Sequence, residues 1–485
     1  MNTRKILFIL LVGVFTSKLS SAQISQADKA YDRAAYKQAI GYYEQGLQKD
    51  TANMVAWSKL ADCYRRTGDS RNAERVYGKV INSNAGGANE HYFYILSMLN
   101  NQRYAEAKSE ISKFSGNHGG DPRIEMLQGC TKNLDEYLQK KGSYSVKNIN
   151  QNVPASDICP VPFGDGIVFI SDRGMLGMRK MTNSATDRPF YSPYYAKGTG
   201  SSFDAATPFE TYQKNDYHSG PIAFSGDSKL MIVTRSNTAD GKIAKDATGL
   251  VRLQLYSSAK GEKTWGIEVA LPFNSINYSC MHPSLSNDGS TLYFASDMPG
   301  GQGGIDIWKS TWDGSAWGTP VNAGNKVNSI GDDVFPYITS ENVLYFSSNG
   351  WPGMGGLDIY MSEMSGNTWS RAENLGGDIN SSQDDFGFSY MPSSKTGYFS
   401  SNRNDQGLND DIYFFEKLCT NTNITITDEE SGKPVIGASV KIVENGVDIG
   451  NVLTDESGVI NRCLNPSRNY EFISKRDKYK DATTT

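Results

Sequence analysis

Near the start of the chain, small and large apolar residues recur with a period of 34 residues. A small side chain allows two helices to approach closely, and larger side chains fill the space around it. One helix pair cannot bury its apolar face alone, so neighbouring pairs have to stack. The pattern predicts an α-solenoid over residues 23–141, with an irregular helical bundle as the alternative. The residues that mark the repeat are Ala39, Ala73 and Ala107, one period apart, and Trp57 in the second unit.

Beyond Val153 the chain changes to short runs of β-branched and aromatic residues separated by Gly, Asn and Asp. These runs repeat with a period of 52 or 53 residues, which accommodates four short antiparallel strands. Three of the repeats contain a Tyr-Phe-x-Ser segment, at residues 293–296, 345–348 and 398–401. Each is followed by an Asp-Ile-aromatic segment, which begins at Asp306, Asp358 and Asp411.

Two weaker copies precede these three. Val168–Ser171 and Met231–Thr234 occupy the place of the Tyr-Phe-x-Ser segment. Insertions in the first two units, such as residues 191–203, explain their wider spacing. Five copies predict a five-bladed β-propeller over residues 150–417, because closing the sheets into a ring removes their exposed edges.

The segment Gly-x-Gly-Gly-x-Asp-Ile occurs at residues 301–307 and 353–359. Glycine adopts a left-handed backbone without strain, so these glycines are predicted to make the turn between two strands. The carboxylate that follows can accept backbone N–H groups of that turn. A calcium site is the alternative for Asp306, Asp358 and Asp411. We favour the structural role, because carboxylates at equivalent positions of separate blades need not converge on one ion.

Residues 418–485 alternate β-branched and polar positions between Gly-Lys-Pro and Glu-Ser-Gly turns. This alternation predicts a small β-sandwich of short strands. The chain as a whole is therefore predicted to be multidomain, with one α domain followed by two all-β domains.

The first 22 residues have the layout of a secretory signal peptide. Arg4 and Lys5 precede the apolar run 6–15, and small residues at 20–22 offer a cleavage site before Gln23. The apolar run is too short to cross a bilayer, which takes about 20 residues. A buried helix at the start of a cytosolic domain is the alternative. We expect export, without a lipid anchor, since no cysteine follows the predicted cut.

Composition excludes several classes of function. The formal net charge is −5, and a mildly acidic chain argues against nucleic acid, whose binding requires clustered positive charge. Six cysteines in 485 residues, with no C-x-x-C pair, indicate neither a disulfide scaffold nor a zinc or thioredoxin-like centre. We expect no cofactor and no metal.

The 34-residue spacing resembles that of tetratricopeptide repeats. The Tyr-Phe-x-Ser and Gly-Gly-x-Asp-Ile segments resemble those of propellers in Bacteroidetes envelope proteins and, more distantly, the TolB propeller. The order of strands and turns in residues 418–485 resembles the carboxypeptidase-regulatory (transthyretin-like) domain. In that family an OmpA-like peptidoglycan-binding domain usually follows, and nothing in this sequence matches it. We therefore expect a fragment or a variant without that domain, so that any link to peptidoglycan is indirect.

Two of the six cysteines, Cys419 and Cys463, lie in the first strand and in a later strand of the predicted sandwich. Export would permit a disulfide, and we predict one between them. Two buried thiols are the alternative.

The resemblance implies a periplasmic, outer-membrane-associated scaffold that binds protein partners of the cell envelope. Members of the group include an accessory of the type IX secretion system, which links the secretion machinery to peptidoglycan. Simultaneous docking by separate modules would raise the effective concentration of the partners. A propeller that binds a glycan or a peptide in its central funnel is the alternative.

The residues themselves argue against an enzyme. The sequence has no Gly-x-Ser-x-Gly nucleophile elbow, and only two of its four histidines, His218 and His282, fall in the propeller. The carboxylate pairs at 332–333 and 384–385 recur at the blade period, which favours a structural role over a single active site. A propeller hydrolase that depends on Asp332 or Asp384 is the third hypothesis.

Overall fold

The computed structural model describes residues 21–140, 142–174, 182–211, 217–239, 242–262, 264–404, 408–444, 446–465 and 468–485. The predicted signal peptide lies outside these residues except for its last two positions. Helices come first and antiparallel strands follow, so this is an α+β protein. The helices are α1 (21–32), α2 (Tyr36–Leu47), α3 (Met54–Arg66), α4 (Ser70–Asn82), α5 (Ala88–Asn100), α6 (Tyr104–Asn117), α7 (Arg123–Lys132) and α8 (Leu134–Gln139).

From α2 onward, each helix of the array packs against the next. The three alanines of the 34-residue repeat lie in α2, α4 and α6, and each is fully buried. Their small side chains leave room for the neighbouring helix. Asn53 and Asp69 cap α3 and α4, because their side chains accept the N–H groups of Ala56 and Asn72.

The strands between residues 144 and 417 form five antiparallel sheets and one short hairpin. The first strand, β1 (Tyr144–Asn148), belongs to the fifth sheet. The first sheet contains β2 (Asp157–Phe163), β3 (Gly166–Ser171), β4 (Ser192–Thr199), β5 (Ser202–Phe203) and β6 (Thr207–Pro208). The second contains β7 (Ser219–Phe224) and β8 (Leu230–Ser236) and, after the hairpin of β9 (Thr238–Ala239) and β10 (Lys242–Ile243), β11 (Leu253–Ala259) and β12 (Val269–Ala270).

The remaining three sheets follow the 52-residue period closely. The third contains β13 (Cys280–Leu285), β14 (Thr291–Ser296), β15 (Asp306–Thr311) and β16 (Val321–Asn322). The fourth contains β17 (Asp333–Ile338), β18 (Val343–Ser348), β19 (Asp358–Ser365), β20 (Thr368–Trp369) and β21 (Glu373–Asn374). The fifth adds β22 (Asp385–Met391), β23 (Thr396–Ser401) and β24 (Asp411–Lys417) to β1.

The five sheets close into a ring, which makes this region a β-propeller. The first strands are in contact in the order β2, β7, β13, β17, β22 and back to β2. Closure is completed by β1, which precedes the first sheet in sequence but pairs with β24 of the last. The predicted start of this region at residue 150 leaves that strand out. Its pairing is non-local, and it covers an edge that the last sheet would otherwise expose.

The register of the second sheet corrects one sequence assignment. Ser219 and Gln254 pair across β8 with Arg235. The same cross-strand position is held by Ser171 in the first sheet and by Ser401 in the fifth. The copy of the Tyr-Phe-x-Ser segment in this blade is therefore residues 232–235, one residue later than predicted. The apolar run in β8 is longer than the segment, so composition alone left the register open.

Residues 420–484 form two further antiparallel sheets that face one small core. The first pairs β25 (Thr420–Thr425) with β28 (Val459–Leu464). The second has the order β27 (Val447–Leu453), β26 (Ser439–Glu444), β29 (Tyr470–Lys475) and β30 (Ala482–Thr484). Val440 and Ile442 from one sheet and Ile460 from the other are buried together. A disulfide joins Cys419 to Cys463.

Within the described part of the chain, no helix has the length and the apolar character that a membrane span requires.

Candidate functional site

Two of the three aspartates of the Asp-Ile segments hold the turns that lead into their strands, and the third contacts β1. Asp306 accepts two backbone N–H groups of its turn, one of them from Gly303 at 3.1 Å. Asp358 accepts the N–H group of Met354 at 2.7 Å. Asp411 accepts a side-chain amide of β1 at 3.3 Å. These contacts serve the turns and the closure of the ring. Among the described residues, no three His, Cys, Asp or Glu side chains are grouped as ligands for a metal ion.

The glycines of the same segments act through close approach and not through a left-handed backbone, which corrects the expectation from sequence. None of the six has a φ in the left-handed region. A Cβ atom on Gly303 would lie 2.3 Å from the carbonyl oxygen of Gly331, and one on Gly355 would lie 1.9 Å from that of Ser382. The loop of one blade therefore lies directly on the backbone of the next, where only glycine leaves room.

Asp332 and Asp384, the two residues of the hydrolase hypothesis, link neighbouring blades. Asp332 accepts the N–H group of Ile305 at 3.1 Å, and Asp384 accepts that of Leu357 at 2.8 Å. In both cases the donor lies just before the third strand of one sheet, and the acceptor lies just before the first strand of the next. Burial raises the pKa of Asp384.

Three first strands begin with a buried aspartate, and two of these carboxylates have a cationic partner within the part of the chain that the structure describes. Asp157 pairs with Arg173 at 2.7 Å, and Asp385 pairs with Arg403 at 2.5 Å. Asp333 accepts the N–H and hydroxyl groups of Ser329 at 2.6 and 2.9 Å. Its other oxygen has no hydrogen-bond partner among the described residues. Burial raises the pKa of Asp333 to about 7.

The first strand of each of the five sheets contains a β-bulge near its start. Side chains at the level of these bulges fill the centre of the ring. The rings of His282 and Phe335 stack with centroids 3.8 Å apart, and Phe386 lies 4.9 Å from Phe335. A Cβ atom on Gly387 would lie 3.1 Å from the sulfur of Cys159. Five residues at these bulges have a left-handed backbone, namely Cys159, Gly220, His282, Phe335 and Gly387.

Both propeller histidines serve packing. Burial lowers the pKa of His282 to about 3 and that of His218 to about 4, so both rings are neutral at physiological pH. The Nδ1 atom of His218 accepts the N–H group of Tyr191 at 3.2 Å, and its Nε2 atom lies 3.1 Å from the amide of Asn183. Within the described residues, neither ring is hydrogen-bonded to a hydroxyl or a thiol that it could activate.

The helical array is docked on the loops of the fourth and fifth sheets. Tyr104 donates its hydroxyl to the carbonyl oxygen of Met354 at 3.1 Å. Gln383 donates its amide to the carbonyl oxygen of Asn100 at 2.6 Å. The thiol of Cys130 is buried at the same contact, 3.4 Å from a backbone N–H group of the fourth sheet.

The chain segment between the two domains is held by one carboxylate. Asp378 accepts the consecutive N–H groups of Gly142, Ser143 and Tyr144 at 2.7, 2.9 and 3.0 Å. Three backbone donors that converge on one oxygen form an anion-binding concavity. The entry into β1 is thereby anchored to the fifth sheet.

A cavity of about 350 Å³ lies between the helices and the axial side of the propeller. Its helical wall includes Arg65 and Asn100, and its propeller wall includes Asp332, Asp384 and Phe335. Because Phe335 belongs to the central stack, the helices cover this mouth of the ring.

A second, open groove of about 910 Å³ lies between α4 and the loop that precedes β22. Three exposed cations of α4 line it at four-residue steps, and Ser382 and Gln383 line its propeller side. Sequence reasoning missed this groove, although the spacing of the cations is visible in the sequence. The wall that faces them comes from about 300 residues away and is set only by docking. The three cations are Arg71, Arg75 and Lys79.

Trp57, the aromatic residue of the repeat, contacts Lys79, one of the cations that line this groove. Its indole N–H donates to the carbonyl oxygen of Thr51 at 3.1 Å. The ammonium of Lys79 lies 3.4 Å from the centre of its ring. A cation over an indole face is held in place electrostatically.

No family model and no curated protein matches the sequence. Solved structures that resemble the fold include a protein from Agrobacterium tumefaciens assigned as TolB, at 13% identity and a TM-score of 0.34, over 66% of this chain and 98% of that one. An exo-β-1,3-galactanase from Clostridium thermocellum matches at 10% identity and a TM-score of 0.35, over 68% of this chain and 78% of that one. A puromycin-hydrolysing peptidase from Mycobacterium tuberculosis matches at 11% identity and a TM-score of 0.30, over 59% of this chain and 42% of that one. Identities and TM-scores this low carry no argument about activity.

Proposed function

We propose that this chain is a non-catalytic scaffold of the bacterial cell envelope, exported to the periplasm and associated with the outer membrane through protein partners. In this proposal the helices are tetratricopeptide-like repeats, the five sheets are five blades, and residues 418–485 are a regulatory-like sandwich. The observation that carries the proposal is the direct docking of the helical array on the fourth and fifth sheets. It makes one preorganised body from two domains.

Preorganisation is what a scaffold requires. A partner that binds two surfaces held in fixed relation does not have to order them, so less binding free energy is lost. The second partner then experiences a raised effective concentration. Asp332 and Asp384, the carboxylates that a hydrolase would use, accept backbone N–H groups of the neighbouring blade. An accessory role in type IX secretion, with only an indirect link to peptidoglycan, is the specific form of the proposal.

Affinity purification of the tagged full chain from envelope extracts of its native host tests this proposal. We expect near-stoichiometric recovery of outer-membrane proteins, and cross-links that map to both the helical array and the propeller. Recovery of no envelope protein under conditions that keep other envelope complexes intact would contradict it.

A ligand-binding propeller is the second candidate, and the 350 Å³ cavity below the helices favours it. Calorimetry with muropeptides and oligosaccharides separates the two candidates. A scaffold is expected to give no heat. Saturable heat of binding that is lost in the variant Phe335→Ala, while circular dichroism shows the fold to be retained, would favour a ligand-binding function of the cavity.

A further inference from the structure

Arg71, Arg75 and Lys79 form a row of like charges on α4. All three side chains are exposed. None of them makes an ion pair with a carboxylate among the described residues, whereas the nearby Arg103 pairs with Glu74 and Glu106. Burial, with a further contribution from Arg75, lowers the pKa of Lys79.

Such a row is unfavourable for the isolated helix. Like charges four residues apart on a helix repel each other. Elsewhere in the array the chain places opposite charges at this spacing, as in the pair of Asp62 with Arg66 at 2.6 Å. The repulsion is removed when an anion occupies the groove.

The spacing of the row matches one kind of ligand. Four residues of α-helix rise about 6 Å. In an extended peptide, side chains on the same face are about 6.6 Å apart, two residues at 3.3 Å each. Carboxylates at alternate positions of an extended segment therefore align with the three cations. Asn82 and Tyr94 line the same groove and supply amide and hydroxyl groups for the backbone of such a segment.

We propose that the groove between α4 and the loop before β22 binds an extended acidic segment of a partner protein, with Asp or Glu at every second position. The inference rests on the proposed scaffold function and names the chemistry of one partner. Arg71, Arg75 and Lys79 each pair with one carboxylate. The propeller loop at Ser382 and Gln383 forms the opposite wall, so the site exists only when the two domains are docked.

Fluorescence anisotropy with the purified full chain tests the groove directly. The probe is a labelled peptide with the sequence Gly-Glu-Ser-Glu-Ser-Glu-Gly. We expect saturable binding at 50 mM NaCl, at least fivefold weaker at 300 mM because salt screens exposed charges. The variant Arg71→Gln/Arg75→Gln/Lys79→Gln is expected to bind at least tenfold more weakly. Its Tm should change by less than about 3 °C, because the loss of the Lys79–Trp57 contact opposes the gain from removing the like-charge row.

The matched control removes three exposed lysines elsewhere on the helical array, Lys49→Gln, Lys108→Gln and Lys132→Gln. It has the same change in net charge and should bind within twofold of the unmodified chain. A peptide of the same composition with its three Glu residues adjacent should bind at least threefold more weakly than the probe. Equal loss in the two triple variants, or stronger binding of heparin than of the peptide, would overturn the proposal.

The purification experiment separates this inference from the scaffold proposal. If the unmodified chain recovers envelope proteins and the groove variant recovers the same set, the scaffold stands and the groove assignment is wrong. If the unmodified chain recovers none, the scaffold proposal fails, while the anisotropy measurement still decides whether the groove binds acidic peptides.

Discussion

The buried aspartate at the start of a first strand has a different electrostatic environment in different blades. In the first and fifth sheets, the aspartate that opens the strand faces Arg173 or Arg403. In the fourth sheet Gly350 stands where the other two carry arginine, and the buried Asp333 has no cationic partner among the described residues. Removing a charge from water costs several kcal/mol unless it is paired, so the neutral form is favoured at Asp333.

We expect Asp333→Asn to stabilise the propeller at alkaline pH. The pKa of Asp333 is about 7 in the folded chain and about 3.9 when unfolded. The folded state therefore binds the extra proton, and its contribution to stability is present below pH 4 and lost as pH rises through 7. The loss amounts to at most about 4 kcal/mol. Asparagine does not ionise, so this loss is absent in the variant. Its Tm should be several degrees higher than that of the unmodified chain at pH 8 and little changed at pH 4.5.

The same substitution at Asp385 is the control. Arg403 would then be left without its buried partner, which typically costs about 3–5 kcal/mol. Asp385→Asn should lower the Tm at pH 8, where Asp333→Asn raises it. Equal effects of the two substitutions at pH 8 would show that the arginine does not distinguish the sites.

Glycine substitutions test the close contact between blades at the same scale. Gly355→Ala places a Cβ atom 1.9 Å from a backbone oxygen, which cannot move as a side chain would. We expect a loss of about 1–3 kcal/mol, typical of overpacking. Gly41→Ala, in the middle of α2 with nothing within 4 Å, should instead stabilise by about 0.5–1 kcal/mol. Chemical denaturation of both variants provides the comparison, and a stable Gly355→Ala would rule out the contact.

At the scale of elements, the sandwich differs from the rest of the chain in the size of its core. Within the described residues, its buried cluster consists of Val440, Ile442 and Ile460, whereas each sheet of the propeller packs against its neighbours around the ring. A small sheet pair with so few buried side chains has little hydrophobic stabilisation. The disulfide at the start of the sandwich is therefore expected to contribute most of its free energy of unfolding.

Reduction of Cys419–Cys463 should unfold the sandwich before the propeller. The bridge closes a loop with a sequence separation of 44 residues, worth roughly 4 kcal/mol in the chain-entropy view. Hydrogen exchange with and without reductant should show loss of protection confined to residues 420–484. Non-reducing peptide mapping should recover the linked pair, and recovery of two free thiols would refute the bridge. The four other cysteines are buried and should react only after unfolding.

At the scale of the whole molecule, the ends of the propeller and the helices are fastened at one place. The entry strand β1 closes the ring, and Asp378 holds the segment just before it. Lys140, the residue that follows the last helix, pairs with Glu373 of β21, in the neighbouring fourth sheet, at 3.1 Å. Closure of the ring and docking of the array are therefore coupled.

We expect Asp378→Ala to loosen this junction without unfolding either domain. Three backbone N–H groups lose their acceptor, so amide exchange at residues 142–144 should rise at least tenfold. Asp313→Ala is the control, because Asp313 binds N–H groups only within its own turn in the third sheet. Unchanged exchange at residues 142–144 in Asp378→Ala would exclude the coupling.

Repetition and alternation in the sequence were sufficient to predict which segments are helical, which are pleated, and that the units of each kind pack on one another. Both signals are local, since the period of a repeat and the faces of a strand are properties of neighbouring residues. The role of Asp306 as acceptor of its own turn belongs to the same class. The requirement for glycine in the segment before Asp306 could not be predicted in this way, because the atoms that these glycines approach belong to the next blade.

Only the tertiary structure decided the features that join distant segments. The pairing of β1 with β24, the register of Arg235 and the basic groove on α4 each depend on residues far away in sequence. Hydrophobic pattern specifies which side chains are buried but not which of several similar surfaces bury them. The choice among those surfaces is made by shape and hydrogen bonding once the domains meet, and that choice creates the proposed binding site.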